Sequence, residues 1–386
     1  MSHMAGDPCK RTEALGKQPL AKGRASLFHQ AGNSQRSQTT MITRRRFSIA
    51  AGLAVALGSV GLAALPAQAQ TDIKFTLDWK FEGPAAGFFL AIDRGYFAEE
   101  GLNVTIDSGA GSVESIPRVA TGTYQMGFGD INSLIKFLDE DPTAKVRAVM
   151  VIYERPPFAV IGRKSLGVTE DPKSLEGKTL GAPPPDSAFA QWPAFVQAAG
   201  IDTSNIKIES VGFPLREPML AQGQVDAIFG FAFSSVLNLK AQGVPEDDIA
   251  LILMAENGLD LYGNSILVNT DFASQNPDAV KGFLRALVKG FADAVSDPEA
   301  GVEAVMKRNE VLNKDIELER LQMANRLNIN TPYVQENGFG GIDKDKLAKS
   351  IEFLKISMKL KGNVGPDDVF DDSFLPPKEE RMLPKG

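Results

Sequence analysis

The chain has 386 residues, enough for two ordinary domains, and its 43% hydrophobic and 23% charged content fits a globular body rather than a fibrous or disordered one. Residues 1–69 carry a net charge of +7 and residues 70–386 carry −14, so the body repels nucleic acid and anionic membranes, and neither is an expected partner. The single cysteine, Cys9, and the two histidines, His3 and His29, all precede the body, which excludes thiolate nucleophiles, histidine triads, disulfides and His/Cys metal sites from residues 70–386.

Residues 1–40 are polar and without a sustained period, and read as an unstructured upstream extension. From Met41 the order is Thr43-Arg44-Arg45-Arg46-Phe47, a Gly/Ala-rich apolar stretch to Leu65, then Ala67-Gln68-Ala69. A basic region, an apolar region and an A-x-A site predict an export signal over 41–69, cleaved after Ala69. The arginine pair followed by Phe47 resembles the twin-arginine signal.

The body opens with a strand at Ile73–Leu77 that ends at Asp78-Trp79. Pro84 then starts a helix whose Ala85, Phe88, Phe89 and Ile92 share one face. Val104 and Ile106 alternate as a strand before Gly109-Ala110-Gly111-Ser112, and a helix over 114–121 stops at Gly122. A strand at Tyr124–Phe128 follows, and Asp130 caps a helix with Ile131, Leu134, Ile135 and Leu138 on one face. This strand–helix rhythm predicts a mostly parallel sheet covered by helices. Further strands are expected at 146–153, 179–182, 206–211 and 264–268, and helices at 277–296, 298–307, 314–327 and 344–359. The acidic run Asp367–Asp372 lacks the spacing of a calcium loop and reads as solvated. A unit also recurs 101 residues on: Ala120, Gly122, Phe128 and Gly129 match Ala221, Gly223, Phe229 and Gly230, as successive lobes of a duplicated fold would. The resulting division is 70–160 for the first part of lobe 1, 161–262 for lobe 2, and 263–386 for the return to lobe 1 with C-terminal helices.

Several of these residues form a recognisable set: Asp78-Trp79, Gly95-Tyr96-Phe97-x-x-Glu100-Gly101-Leu102, the Gly-x-Gly-Asp turn at 127–130, Leu175-Glu176-Gly177-Lys178 and Gly223-x-Val225-Asp226-Ala227. Together they resemble the nitrate/sulfonate/taurine and thiamine-pyrimidine binding proteins of ABC importers over about residues 72–330. The resemblance implies an α/β, type II periplasmic-binding-protein fold of two hinged lobes, each a mostly parallel sheet flanked by helices. It implies a periplasmic, non-catalytic monomer without cofactor or metal, whose partners are a small-molecule solute and an inner-membrane permease and ATPase. The chain has Lys80-Phe81-Glu82-Gly83-Pro84 where the pyrimidine branch has a polar Asn/His-containing run. The family also contains a pyrimidine synthase held to consume its own histidine, a chemistry that a body without histidine cannot perform. A module that presents its ligand to a sensor remains the other class of reading.

Ligands of such sheets bind outside the carboxyl ends of the strands. That selects the loops 78–83, 109–112, 127–132, 183–192 and 229–234, with Tyr153 near the hinge and Arg216 opening a later helix. The candidate binding residues are Asp78, Trp79, Glu82, Gly109, Ser112, Asp130, Asn132, Tyr153, Asp186, Ser187, Trp192, Arg216, Phe229 and Phe231. Each has a rival reading: helix capping for Asp130 and Asp186, core packing for Trp79 and Trp192, and pairing with Glu217 or another carboxylate for Arg216. Acidic and aromatic residues dominate this set. That favours a planar nitrogen-containing or aromatic solute of the thiamine-precursor pyrimidine type, with Trp79 and Trp192 stacking from opposite lobes. An aliphatic sulfonate or taurine, nitrate or an aromatic acid is the alternative solute.

Overall fold

The computed structural model describes residues 70–362 and 364–385. The upstream extension, the export signal, Cys9 and both histidines lie outside the described residues. Ten strands among those described form two five-stranded sheets. The first has the order β2-β1-β3-β10-β4, built from β1 (Thr71–Thr76), β2 (Leu102–Asp107), β3 (Met126–Asp130), β4 (Val146–Val151) and β10 (Asn264–Asn269). The second has the order β7-β6-β8-β5-β9, built from β5 (Phe158–Arg163), β6 (Thr179–Ala182), β7 (Lys207–Ser210), β8 (Ala227–Phe231) and β9 (Ile249–Leu253).

Each sheet is mixed rather than mostly parallel, with two parallel pairs: β1 with β2 and β3, and β6 with β7 and β8. The antiparallel pairs all involve the strand that has just crossed from the other sheet: β10 against β3 and β4, and β5 against β8 and β9. The chain crosses twice, between β4 and β5 and between β9 and β10. The two crossings are tied together, because the Tyr153 N–H donates to the Asn264 carbonyl at 3.0 Å and the Gly263 N–H donates to the Tyr153 carbonyl at 2.9 Å. Gly263 is required there, since a Cβ on it would meet the Tyr153 Cβ at 2.9 Å.

In the first lobe α1 (Ala86–Asp93) and α2 (Tyr96–Glu99) follow β1, α3 (Ser112–Ala120) follows β2, and α4 (Ile131–Glu140) follows β3. In the second, α5 (Ser187–Ala190) and α6 (Trp192–Ala199) follow β6, α7 (Phe213–Ala221) follows β7, and α8 (Ala232–Ala241) follows β8. After β10 come α9 (Thr270–Gln275), α10 (Pro277–Ser296), α11 (Pro298–Met306), α12 (Lys314–Ala324), α13 (Pro332–Asn337) and α14 (Lys344–Ser357). The repeat extends further than its identities suggest. The units α3-β3-α4 and α7-β8-α8 have the same lengths of 9, 5 and 10 residues, and both first helices contain a proline, Pro117 and Pro218.

One core packs β1 and β3 against α1 and α10 through Phe75, Phe88, Phe283 and Phe291. A second joins both lobes, from Ile116 and Ile135 to Trp192, Phe195 and Phe229, and also takes in Leu347 and Leu354 of α14. Three further sequence readings need correction. The boundary expected at 160/161 falls inside β5. Strands β5 and β9 were not foreseen, because both are continuous apolar runs without alternation, and β5 follows Pro156-Pro157. The helix expected over 314–327 ends at Ala324 and passes into a π-helical turn, Asn325–Ile329.

Candidate ligand-binding site

The strand ends of both sheets converge on two adjoining cavities that share Asp78, Trp79 and Phe231 in their walls. One adds Asp186, Phe213 and Arg216; the other adds Glu82, Tyr153 and Phe233.

The first lobe contributes the turn after β1, braced by the glycine loop after β2. The Gly109 N–H donates to the Trp79 carbonyl and the Gly111 N–H to the Asp78 carbonyl, at 3.1 and 2.7 Å. A Cβ on Gly109 would lie 2.2 Å from the Leu77 carbonyl oxygen, so this glycine closes the turn rather than facing a ligand. Gly111 does line the cavity. It has φ +110°, and a Cβ on it would meet the Pro185 carbonyl oxygen of the other lobe at 2.5 Å.

Asp78 is buried and accepts from Asn264 Nδ2 at 2.5 Å and Ser112 Oγ at 3.3 Å. Burial raises its pKa to about 7, against those two hydrogen bonds, which favour the carboxylate. Ser112 also accepts the Asp130 N–H at 3.0 Å, so it supports Asp78 from behind. Asp130 is a helix cap, accepting from the N–H groups of Asn132 and Ser133 at 3.2 and 2.7 Å, and does not reach the cavity. The indole Nε1 of Trp79 is buried with no hydrogen-bond partner, and the Tyr153 hydroxyl bonds no described residue. Burial, then the nearby Asp78 and Glu82, holds the Tyr153 phenol well above its ordinary range.

The second lobe contributes Asp186, Ser187, Phe213 and Arg216. Asp186 caps α5 through the Phe189 N–H at 3.0 Å and accepts from Arg216 Nη1, also at 3.0 Å. Arg216 further donates to Glu217 Oε1 from Nε at 2.9 Å and Nη2 at 2.5 Å. Its charge is thus committed to two buried carboxylates. Burial raises the Asp186 pKa, and Arg216 partly opposes it. Glu82 crosses the cleft, accepting from Ser234 Oγ at 3.0 Å and facing Arg320 at 3.5 Å.

Two aromatic assignments are corrected. Trp192 is only 9% exposed and packs on Phe229 and Phe195, and Phe229 is fully buried beneath it. Trp192 and Asn132 instead border a different cavity. The ring opposite Trp79 is Phe213, with centroids 4.6 Å apart at 71°. Phe213 was missed as a site residue, and Gly111 and Ser234 lie in the selected loops but were not singled out. The repeat carried a signal for Phe213, which stands 101 residues after Ser112 at the start of the equivalent helix.

Two α/β lobes joined by paired crossings, with strand ends facing a shared cleft, define a periplasmic-binding-protein fold. The alkanesulfonate-binding protein SsuA of Xanthomonas axonopodis pv. citri has it too, with a TM-score of 0.60, 13% identity, and coverage of 79% of this chain and 99% of that one. The description of NMT1/THI5-like proteins matches residues 84–301, and the chain belongs to that family. The riboflavin-binding protein RibY of Chloroflexus aurantiacus is 25% identical over 299 residues, covering 75% of this chain and 82% of RibY. The formylaminopyrimidine-binding protein of Halalkalibacterium halodurans is 25% identical over 312 residues, covering 78% and 90%. A 4-amino-5-hydroxymethyl-2-methylpyrimidine phosphate synthase of Aspergillus parasiticus is 23% identical over 253 residues, covering 63% and 72%.

Proposed function

We propose that this chain is the exported, non-enzymatic solute-binding component of an ABC importer and that it closes over a small planar nitrogen heterocycle of the pyrimidine type. One observation carries the choice of solute: Arg216, the one arginine among the described wall residues, already pairs with Asp186 and Glu217, and Lys80 lies over the Trp79 ring, while the Trp79 N–H and the Asp78 carboxylate stand against aromatic walls. A sulfonate or nitrate is best held by a bidentate arginine fork, which Arg216, so paired, does not offer. A heterocycle with a ring acceptor beside N–H donors matches Trp79 and the carboxylates together. The relatives named for riboflavin and formylaminopyrimidine, both planar heterocycles, support the same choice. Against the synthase reading stands a body without histidine.

A ligand touching both lobes selects the closed state in proportion to its differential affinity. Native mass spectrometry of gently purified protein should reveal a bound heterocycle. Trp79→Ala should weaken its binding about tenfold by losing a stacked ring worth ~0.5–1.5 kcal/mol beyond area, with the free protein's melting temperature little changed. Trp192→Ala should instead lower that melting temperature, as core truncations cost ~3–5 kcal/mol. An alkyl sulfonate or nitrate binding more tightly than any heterocycle overturns the pyrimidine reading.

Export rests on the Arg44-Arg45-Arg46 and Ala67-Gln68-Ala69 order. N-terminal sequencing of periplasmic protein should begin at Gln70, and joint Arg44→Lys and Arg45→Lys substitution should block export by the twin-arginine route. A mature chain that starts upstream of Met41 contradicts the first, and unchanged export of the double variant contradicts the twin-arginine route.

A further inference from the structure

The cavity that holds Glu82 and Tyr153 differs in chemistry from its neighbour. Its wall is aromatic at Trp79, Phe88, Phe128, Tyr153, Phe231 and Phe233, and two carboxylates, Asp78 and Glu82, stand among those rings. The rings lean on one another edge to face: Phe88 on Phe128, Phe128 on Tyr153 and Tyr153 on Phe233, with centroids 5.3, 5.3 and 5.8 Å apart. Such ring faces attract a cation, and carboxylates beside them add their charge.

Charge around the cleft is also out of balance. Each buried arginine there is shared by two buried carboxylates, Arg216 by Asp186 and Glu217 at 3.0 and 2.5 Å, and Arg320 by Glu317 and Glu82 at 3.1 and 3.5 Å. Asp78 has no cationic partner among the described residues, and both hydrogen bonds from its neighbours reach the same oxygen, Oδ2. Lys80, the remaining cation in this wall, is exposed and pairs with no described carboxylate; its ammonium lies over the Trp79 ring, 5.4 Å from the centroid. Three oxygens in the wall thus take no hydrogen bond from another described residue: Asp78 Oδ1, Glu82 Oε1 and the Tyr153 hydroxyl. Their residues are only 6%, 8% and 4% exposed, yet none of the three oxygens is sealed off from the cavity. Polar groups so deeply placed call for a donor.

We propose that the solute carries an alkylammonium arm, which this cavity takes up while the ring occupies the neighbouring one. The proposal rests on the heterocycle reading of the same site and adds the charge of the molecule. An alkylammonium brings three N–H donors, and Asp78, Glu82 and Tyr153 supply three acceptors. Both carboxylates stand near enough to Tyr153 to oppose its ionisation, so the phenol stays neutral beside them. A hydroxymethyl arm brings one donor and no charge, and leaves Asp78 uncompensated.

Isothermal titration calorimetry near neutral pH can compare two matched pairs. One is 4-amino-5-aminomethyl-2-methylpyrimidine against its 5-hydroxymethyl counterpart, and the other is benzylamine against benzyl alcohol, which lack ring nitrogens. In each pair the ammonium compound should bind at least about tenfold more tightly. Glu82→Gln should cut that preference about fivefold, as loss of a charged acceptor implies. Tyr153→Phe removes a hydroxyl that no described residue bonds, so it should weaken the aminomethyl compound about fivefold with the free protein's melting temperature unchanged. A preference in the benzyl pair with no pyrimidine bound keeps the arm site and overturns the pyrimidine reading. Pyrimidines that bind without an ammonium preference do the reverse. Binding of neither ammonium compound overturns the arm site, as does a preference left intact in both folded variants.

Discussion

Asp78 is held where burial and hydrogen bonding oppose each other, and burial prevails. Its pKa of about 7 in the folded protein lies above the ordinary value near 3.8, so between those limits the folded chain retains a proton that the unfolded chain has released. Its contribution to stability is therefore greatest at low pH and is lost as pH rises toward and through 7. The melting temperature of the ligand-free protein should fall from pH 5 to pH 8, and Asp78→Asn should remove most of that slope. Binding of an N–H donor heterocycle should move the other way, strengthening as Asp78 ionises. A wild-type melting temperature equal at both pH values contradicts this account. At the same scale, Asp78, Asp186 and Arg216 were legible as strand-end and helix-start residues because the strands themselves were. Trp192 was misplaced because a helix-opening position looks the same in sequence whether its ring faces the cleft or the core. Only the contact with Phe229 decides it.

The repeated helix–strand–helix unit places Gly111 and Gly212 at equivalent helix starts, and Asp130 and Phe231 at equivalent strand ends. One frame thus supplies a helix cap in the first lobe and a cavity wall in the second. The glycines differ in the same way: Gly111 sits at φ +110° against Pro185, whereas Gly212 has an extended φ of −78°. Gly111→Val should strain the turn and wedge the lobes apart. We expect at least a tenfold loss of solute affinity and a radius of gyration that stays large with ligand present, measured by small-angle scattering. Compaction equal to the unsubstituted protein contradicts this. The repeat was visible in sequence because glycine stops and alternating strands punctuate it. Strands β5 and β9 were hidden because both are continuous apolar runs without the polar alternation that marks a strand.

Across the whole molecule, the two-lobed order followed from the interruption of one strand–helix series by another. The bracing by the C-terminal helices did not, since nothing local marks it. Arg320 of α12 donates to the Phe233 and Ser234 carbonyls of the second lobe, both at 3.1 Å, and α14 packs on α6. Such contacts join residues far apart in the chain and leave no periodic trace. The crossings have one more consequence, for the order in which the molecule is built. Every strand of the second sheet lies between Phe158 and Leu253, while β3 and β4 of the first must wait for β10, which begins at Asn264. During synthesis the inserted lobe can complete its sheet first, and β3 is left with an unpaired inner edge until the chain returns. The nascent first lobe is thus the vulnerable half, and the strand that rescues it is the one on which Asn264 brings its amide to Asp78.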